Sequence, residues 1–294
     1  MASPPRRLRC LLLAILLAAA DIHAGIAVQG HRGARALRPE NTLAAFQYAL
    51  EVGVDTLELD LVVSSDNVLV ITHDLWINPD LCLKNGNKLP RKEPVIGLSL
   101  QQIKQYDCGS LKNPRFPDQV LQPGERIPTL RELFKLVEHS PAAAARTVKF
   151  NIETKIDRTS PQLTPTPQQY AKLLVEQIHA SPFRDRVIVQ SFDYRTLKWI
   201  KQLDAGIPVS QLSRRSFVDL VAAARSVRAS YVSPNWESIT RDMVEEFHAS
   251  DLKVVPWTAN SPAAWDHLVE IGVDEIITDD PQGLINYLKS RNLR

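Results

Sequence analysis

Glu58, Asp60 and His73 lie in residues 56–74, whose pattern predicts a strand, a short turn and a returning strand. Glu58 and Asp60 are two apart, so on a strand both side chains leave the same face. A turn centred between Asp66 and Asn67 would set His73 opposite Asp60, where facing residues sit roughly 5 Å apart. Grouped carboxylates suit a hard divalent cation, and an imidazole beside them suits proton transfer near neutral pH. The same alternation describes a half-exposed strand with solvated acids, and the hairpin alone leaves both readings open.

Four more residues stand at the ends of predicted strands. His31 and Arg32 sit between Gly30 and Gly33, after the apolar run at 25–29, and Glu153 and Lys155 follow the apolar run at 148–152. Three carboxylates on neighbouring strands can cage one divalent cation, whereas without one they repel and favour protonation. Arg32 and Lys155 add positive charge suited to a phosphate. His31 and His73 would then donate and accept protons on opposite sides of it. No Ser-His-Asp or Cys-His set stands out, and there is no HExxH.

These residues need a scaffold that brings distant strand ends together. Strands are expected to end at His31, Asp60, Glu153, Phe192, Leu212, Ser233, Thr258 and Asp279, with helical patterns between them, such as Leu43–Leu50 and Pro167–Ala180. Eight alternating units predict a closed (β/α)₈ TIM barrel, whose chemistry sits at the carboxyl ends of the strands. An open doubly wound sheet is the alternative, but it wants a glycine-rich phosphate loop, and the chain has neither GxGxxG nor GxxxxGK. Residues 75–126 break the alternation as a roughly fifty-residue insertion, read as mostly irregular, with one amphipathic piece at Leu98–Tyr106.

The amino terminus reads as a signal peptide, residues 1–24, with cleavage after Ala20 or Ala24 and one domain from 25 to 294. Arg6, Arg7 and Arg9 precede the apolar run Cys10–Ala20, too short to span a bilayer. Export to the periplasm or medium is therefore expected. Loss of three arginines leaves the two charge signs nearly balanced, given 35 Lys and Arg against 33 Asp and Glu in the whole chain. Nucleic acid and stable membrane insertion are not expected as partners. Cys82 and Cys108 remain, both inside the insertion, and are expected to form a disulfide worth roughly 3 kcal/mol. Their place there also disfavours soft zinc ligation.

The ordered motifs GHRG at 30–33, PENT at 39–42, ELD at 58–60, HD at 73–74, IPTL at 127–130 and NIETK at 151–155 resemble those of the glycerophosphodiester phosphodiesterases. QSF at 190–192, WTAN at 257–260 and TDDP at 278–281 extend the resemblance over nearly all of the chain after the leader, and the insertion resembles that of exported bacterial members. The resemblance implies hydrolysis of a glycerophosphodiester to glycerol 3-phosphate and an alcohol. It makes His31 and His73 the acid and base, with Glu58, Asp60 and Glu153 around Ca²⁺ or Mg²⁺. Arg32 and Lys155 fall on phosphate-contacting positions, and Gln190, Phe192 and Trp257 are candidate substrate-binding residues. Phospholipase D-like cleavage of intact phospholipid or sphingomyelin is a second reading, and a periplasmic phosphodiester-binding protein a non-enzymatic third.

Overall fold

Among the described residues, eight parallel strands succeed one another: Ala27–Gly30 (β1), Thr56–Val63 (β2), Lys149–Thr154 (β3), Val187–Ser191 (β4), Val209–Ser213 (β5), Tyr231–Pro234 (β6), Lys253–Val254 (β7) and Glu275–Thr278 (β8). The computed structural model describes residues 25–214 and 219–294. The expected leader at 1–24 and the start of the helix expected from Phe217 lie outside the described residues. Strand order is β7-β6-β5-β4-β3-β2-β1-β8. Backbone bonds close the ring between its two ends: Asp274 N donates to Val254 O, Ile277 N to Pro256 O and Ala259 N to Ile277 O, each at 3.1 Å. The fold is the expected (β/α)₈ barrel.

The run expected as a strand over Lys253–Thr258 is regular only at β7, because Pro256 has no N–H to give a ladder. The helices between strands are Leu43–Val52 (α1), Leu130–His139 (α2), Pro167–His179 (α3), Tyr194–Leu203 (α4), Leu220–Ser226 (α5), Arg241–His248 (α6), Pro262–Ile271 (α7) and Pro281–Ser290 (α8). Their starts are written locally. Thr42 caps α1, Thr129 and Thr166 form capping boxes on α2 and α3, and proline opens α3, α7 and α8.

Period-two alternation separates core from site. Leu57, Leu59 and Leu61 of β2, with Phe150 and Ile152 of β3, join the helices in the main apolar core. Glu58, Asp60, Asn151 and Glu153 alternate with them and are themselves buried. The barrel interior is thus partly polar, filled otherwise by Ile188, Tyr231, Val255 and Ile277. Solvated acids on a half-exposed strand are ruled out, since β2 is buried along its whole length.

The hairpin forms, but its register differs by one from the expected pairing. β2 pairs antiparallel with Leu69–Ile71 through Leu61↔Ile71 and Val63↔Leu69. Thr72, not His73, lies opposite Asp60, with Thr72 N donating to Asp60 O at 3.0 Å. The turn is centred on Asp66. Ser64 Oγ donates to Asp66 Oδ1 at 2.6 Å and accepts from Val68 N at 2.9 Å, and Asn67 takes a left-handed φ of 59°. An odd-numbered turn moves every pair by one position.

Residues 75–126 are more ordered than expected. Trp76–Ile77 pairs with Glu93–Pro94, and Leu83–Lys84 pairs with both Asn87–Lys88 and Tyr106–Asp107. The amphipathic piece is one helical turn, Leu100–Ile103, with a Ser99 capping box. Ile77, Val95, Ile103 and Tyr106 form a second apolar cluster that includes Val62 and Val70 of the hairpin. Cys82 and Cys108 are joined, as expected, with S–S 2.05 Å.

Candidate active site

The first catalytic-face loop depends on two glycines. A Cβ at Gly30 would lie 2.1 Å from Gly33 O, and one at Gly33 would lie 2.7 Å from Ala45 C, with φ already at +86°. The tight turn leaves Arg32 in the left-handed region at φ 51°, and its backbone N–H donates to Glu58 Oε2 at 2.9 Å. The loop thereby holds a carboxylate as well as presenting His31 and Arg32.

Glu58, Asp60 and Glu153 come together through the β2–β3 register, in which Asp60 stands beside Glu153. One oxygen from each lies within 4.8 Å of the others, and all three residues are buried. Burial pushes the Glu58 carboxyl well above the usual carboxylate range, and Asp60 and Glu153 push it further. Burial acts the same way on Asp60, but Lys155 and Arg32 outweigh it and hold that carboxyl well below its ordinary value. An all-oxygen, buried, mutually repelling donor set fits a hard divalent cation, which would relieve the repulsion. These three residues could hold one.

Lys155 Nζ lies 2.7 Å from Glu153 Oε1 and 3.4 Å from Asp60 Oδ1. Arg32 reaches Glu40 Oε1 through Nη1 at 2.5 Å and Asp60 Oδ2 through Nε at 3.1 Å. Both cations line the cavity beside the carboxylates.

The two histidines occupy different surroundings. His31 is almost enclosed, with Nδ1 2.5 Å from Asp279 Oδ1 and Nε2 3.9 Å from Glu58 Oε2. Burial pushes its imidazole down to about 4 from an ordinary 6.5, against the pull of Asp279. His73 is more open, its side chain 32% exposed, with Nδ1 2.9 Å from Asp74 Oδ1. Although the ladder does not pair it with Asp60, His73 lines the same cavity as His31, Glu58 and Glu153, a space of about 360 Å³.

Gln190, expected to meet substrate, is a buried residue that lines the same cavity and donates from Nε2 to Glu58 Oε1 at 2.8 Å. It continues a polar chain through the barrel: Asn151 Nδ2 donates to Gln190 Oε1 and to Gln29 Oε1, and Gln29 Nε2 donates to Glu275 Oε2 at 2.6 Å. Phe192 and Trp257 form part of the cavity wall, their rings edge to face at 5.5 Å. Arg214 lies over both rings, 4.7 Å and 5.7 Å from their centroids.

Asp279, Arg35, Asn41 and Asn260 were not singled out as site residues. Arg35 grips Asp279 through Nε and Nη2, both at 2.9 Å, and Asn260 Nδ2 donates to Asp279 Oδ2 at 2.8 Å. Burial opposes ionisation of Asp279, yet His31 and Arg35 outweigh it and keep its carboxyl well below the usual range. Asn41 Nδ2 donates to Asp60 Oδ2 at 2.9 Å. Asp279 was signalled by its place at the end of the eighth strand in TDDP. Arg35 carried no such mark.

The family model of the glycerophosphoryl diester phosphodiesterases matches residues 31–283, from His31 to Gly283 in the last helix. The chain belongs to this family. A glycerophosphodiester phosphodiesterase of Caldanaerobacter subterraneus is 31% identical over 262 residues, covering 89% of this chain and 97% of that protein. The crystal structure of a provisionally named glycerophosphoryl diester phosphodiesterase from Silicibacter pomeroyi superposes with a TM-score of 0.84 at 28% identity, over 91% of this chain and 94% of the other. An Oleispira antarctica phosphodiesterase, solved in complex with sn-glycerol-3-phosphate, shares the fold with a TM-score of 0.74 at 22% identity, over 90% and 97% of the two chains. This member of the glycerophosphoryl diester phosphodiesterases is a phosphoric diester hydrolase acting on glycerophosphodiesters.

Proposed function

We propose that the enzyme hydrolyses deacylated phospholipids to sn-glycerol 3-phosphate and an alcohol, with His31 as general base and His73 as general acid. The observation that carries this reading is the meeting of both histidines with Glu58 and Glu153 in one cavity. Burial keeps His31 neutral at pH 7, and with Nδ1–H directed to Asp279 its Nε2 lone pair is free to take a proton. His73 stands at the more open side, where a departing alcohol would leave. The sn-glycerol-3-phosphate held by the Oleispira antarctica relative supports the same product here.

In this mechanism Arg32 and Lys155 hold the phosphodiester, and Glu58, Asp60 and Glu153 hold Ca²⁺ or Mg²⁺. The cation, when bound, supplies charge stabilisation for the phosphoryl oxygens. His31 takes the proton of a free glycerol hydroxyl as its oxygen bonds to phosphorus, and His73 gives a proton to the alcohol oxygen as its bond to phosphorus breaks. Water then opens the cyclic phosphate with the two roles exchanged. A glycerol acylated at both remaining positions lacks that free hydroxyl, which favours deacylated lipids over intact diacyl lipids.

Incubation with glycerophosphocholine and, separately, with intact phosphatidylcholine or sphingomyelin tests the reading. Glycerol 3-phosphate and choline from the first substrate alone are expected. Choline from the intact lipids would favour the phospholipase D-like reading, and binding without turnover a binding protein. Among the described residues only Val120, Tyr194 and Leu203 are strongly exposed large hydrophobics, too few for a lipid-docking rim. We also propose export, on the strength of the leader pattern and the disulfide, a bond that persists in oxidising compartments.

A further inference from the structure

The catalytic cavity opens on its His73 side into a cleft of about 690 Å³ between the first loop and the 75–126 segment. Arg32, Arg35, His73 and Arg115 line both spaces, so the two are continuous. The charges of the cleft fall into two sets.

Near the catalytic centre, cations and acids are matched. Arg32 is paired with Glu40 and Asp60, Arg35 with Asp279, and the Asp74 carboxylate with His73 and Asn78. Lys88 and Lys112, which line the cleft alone, and Arg115, which lines both spaces, are all exposed and have no carboxylate partner among the described residues. Asp80 is the single cleft acid whose side chain has no partner among those residues. The outer cleft therefore carries a surplus of positive charge that nothing within the described fold uses. A second groove leaves the cavity past Phe192 and Tyr194, and its lining carries equal numbers of cations and carboxylates, with Arg158, Arg214 and Lys155 against Asp74, Glu153 and Asp157.

The aromatic rings at the mouth are also informative. A quaternary ammonium head group needs open aromatic faces. Here Arg214 lies over Phe192 and Trp257, Lys198 over Tyr194 at 5.2 Å, and Lys92 over Trp76 at 4.4 Å. Each of these four rings thus already has one of the enzyme's own cations within about 6 Å of its centroid.

We propose that the cleft is the subsite for the leaving alcohol, and that Lys88, Lys112 and Arg115 select alcohols bearing a carboxylate or a phosphate. This assignment rests on the hydrolytic reading above and on His73 standing where the alcohol departs. It gives the 75–126 segment a role in substrate choice, since all three cations belong to it. Each interaction is a solvent-exposed charge pair, modest alone and sensitive to salt.

The test is a matched pair of substrates, glycerophosphoglycerol with and without a terminal phosphate, which differ only in that group. The phosphorylated diester is expected to show about tenfold higher kcat/KM at low salt, with the advantage shrinking as salt is added. Lys112→Gln and Arg115→Gln should each cut the ratio of the two kcat/KM values about threefold, and the double variant should cut it further. Taking the ratio within each variant removes any general loss of rate. Equal kcat/KM for the two substrates in the native enzyme, or a preference that survives the double variant, would overturn the subsite. Turnover of neither substrate would instead overturn the hydrolytic reading on which it rests.

Discussion

His31 Nδ1 and Asp279 Oδ1 are 2.5 Å apart, although 248 positions separate them in the chain. Adjacency of β1 and β8 places them together, with Gly30 in register with Thr278. Arg35 and Asn260 then fix the carboxylate from two other directions. Asp279→Asn should keep the shape while losing the preference for one imidazole tautomer. A fall in kcat of about 10²-fold or more with little change in KM is expected, and steady-state kinetics on glycerophosphocholine read it.

The same pair sets a pH dependence. With its imidazole held at about 4, His31 in its proposed role as base is ready well below the ordinary value of 6.5, so the acid limb of kcat/KM should lie well below pH 6.5. Stability carries the matching sign. The unfolded chain binds the proton before the folded one, so stability falls as pH drops from 6.5 towards about 4. The His31 contribution to that fall is about 3 kcal/mol. Urea unfolding of native protein and His31→Gln across that window, with chelator present, should show a shallower fall in the variant.

The two histidines should part from the carboxylates in their effects. His31→Ala and His73→Ala are each expected to lower kcat by roughly 10²-fold or more while metal affinity changes little. Because the proposed mechanism has both act on one phosphoryl transfer, the double variant should lose less than the product of the single losses. Near-native turnover in either variant would remove that histidine from catalysis.

Metal binding should depend on Glu58 and on the amide bonded to it. A chelator is expected to abolish turnover, with Ca²⁺ or Mg²⁺ restoring it, and Glu58→Ala should lose metal affinity as well as rate. Gln190→Leu removes the donor that orients Glu58 Oε1, so metal affinity should drop about 10- to 100-fold. Calorimetry decides whether Gln190 positions the ligand or touches substrate, because a substrate contact would raise KM and spare metal affinity.

Oxidised protein should show no free thiol at Cys82 or Cys108, and reduction should lower the melting temperature. The closed loop, with a sequence separation of 26, corresponds to a loss of about 3 kcal/mol. Thiol titration of denatured, unreduced protein is the check.

The alternation of strands and helices, the helix starts and the acidic set were legible in the sequence because they are written locally. Alternation puts Glu58 and Asp60 on one face whatever surrounds them, and Thr42, Thr129 and Thr166 start helices through their own next turn. Counting eight such units was enough for the barrel, and a barrel gathers His31, Asp60 and Glu153 at one end. The tertiary structure decided what depends on contacts between distant segments. Asp66 accepts from Leu100 N at 3.0 Å, tying the hairpin turn to the insertion around an odd-numbered loop that no local pattern announced. Gln190 lines the cavity, as a strand end can, but only the fold showed that its amide is spent on Glu58 of another strand. Arg35 could not be ranked above its neighbours until β8 brought Asp279 against it, since a guanidinium acquires its role from the carboxylate it meets.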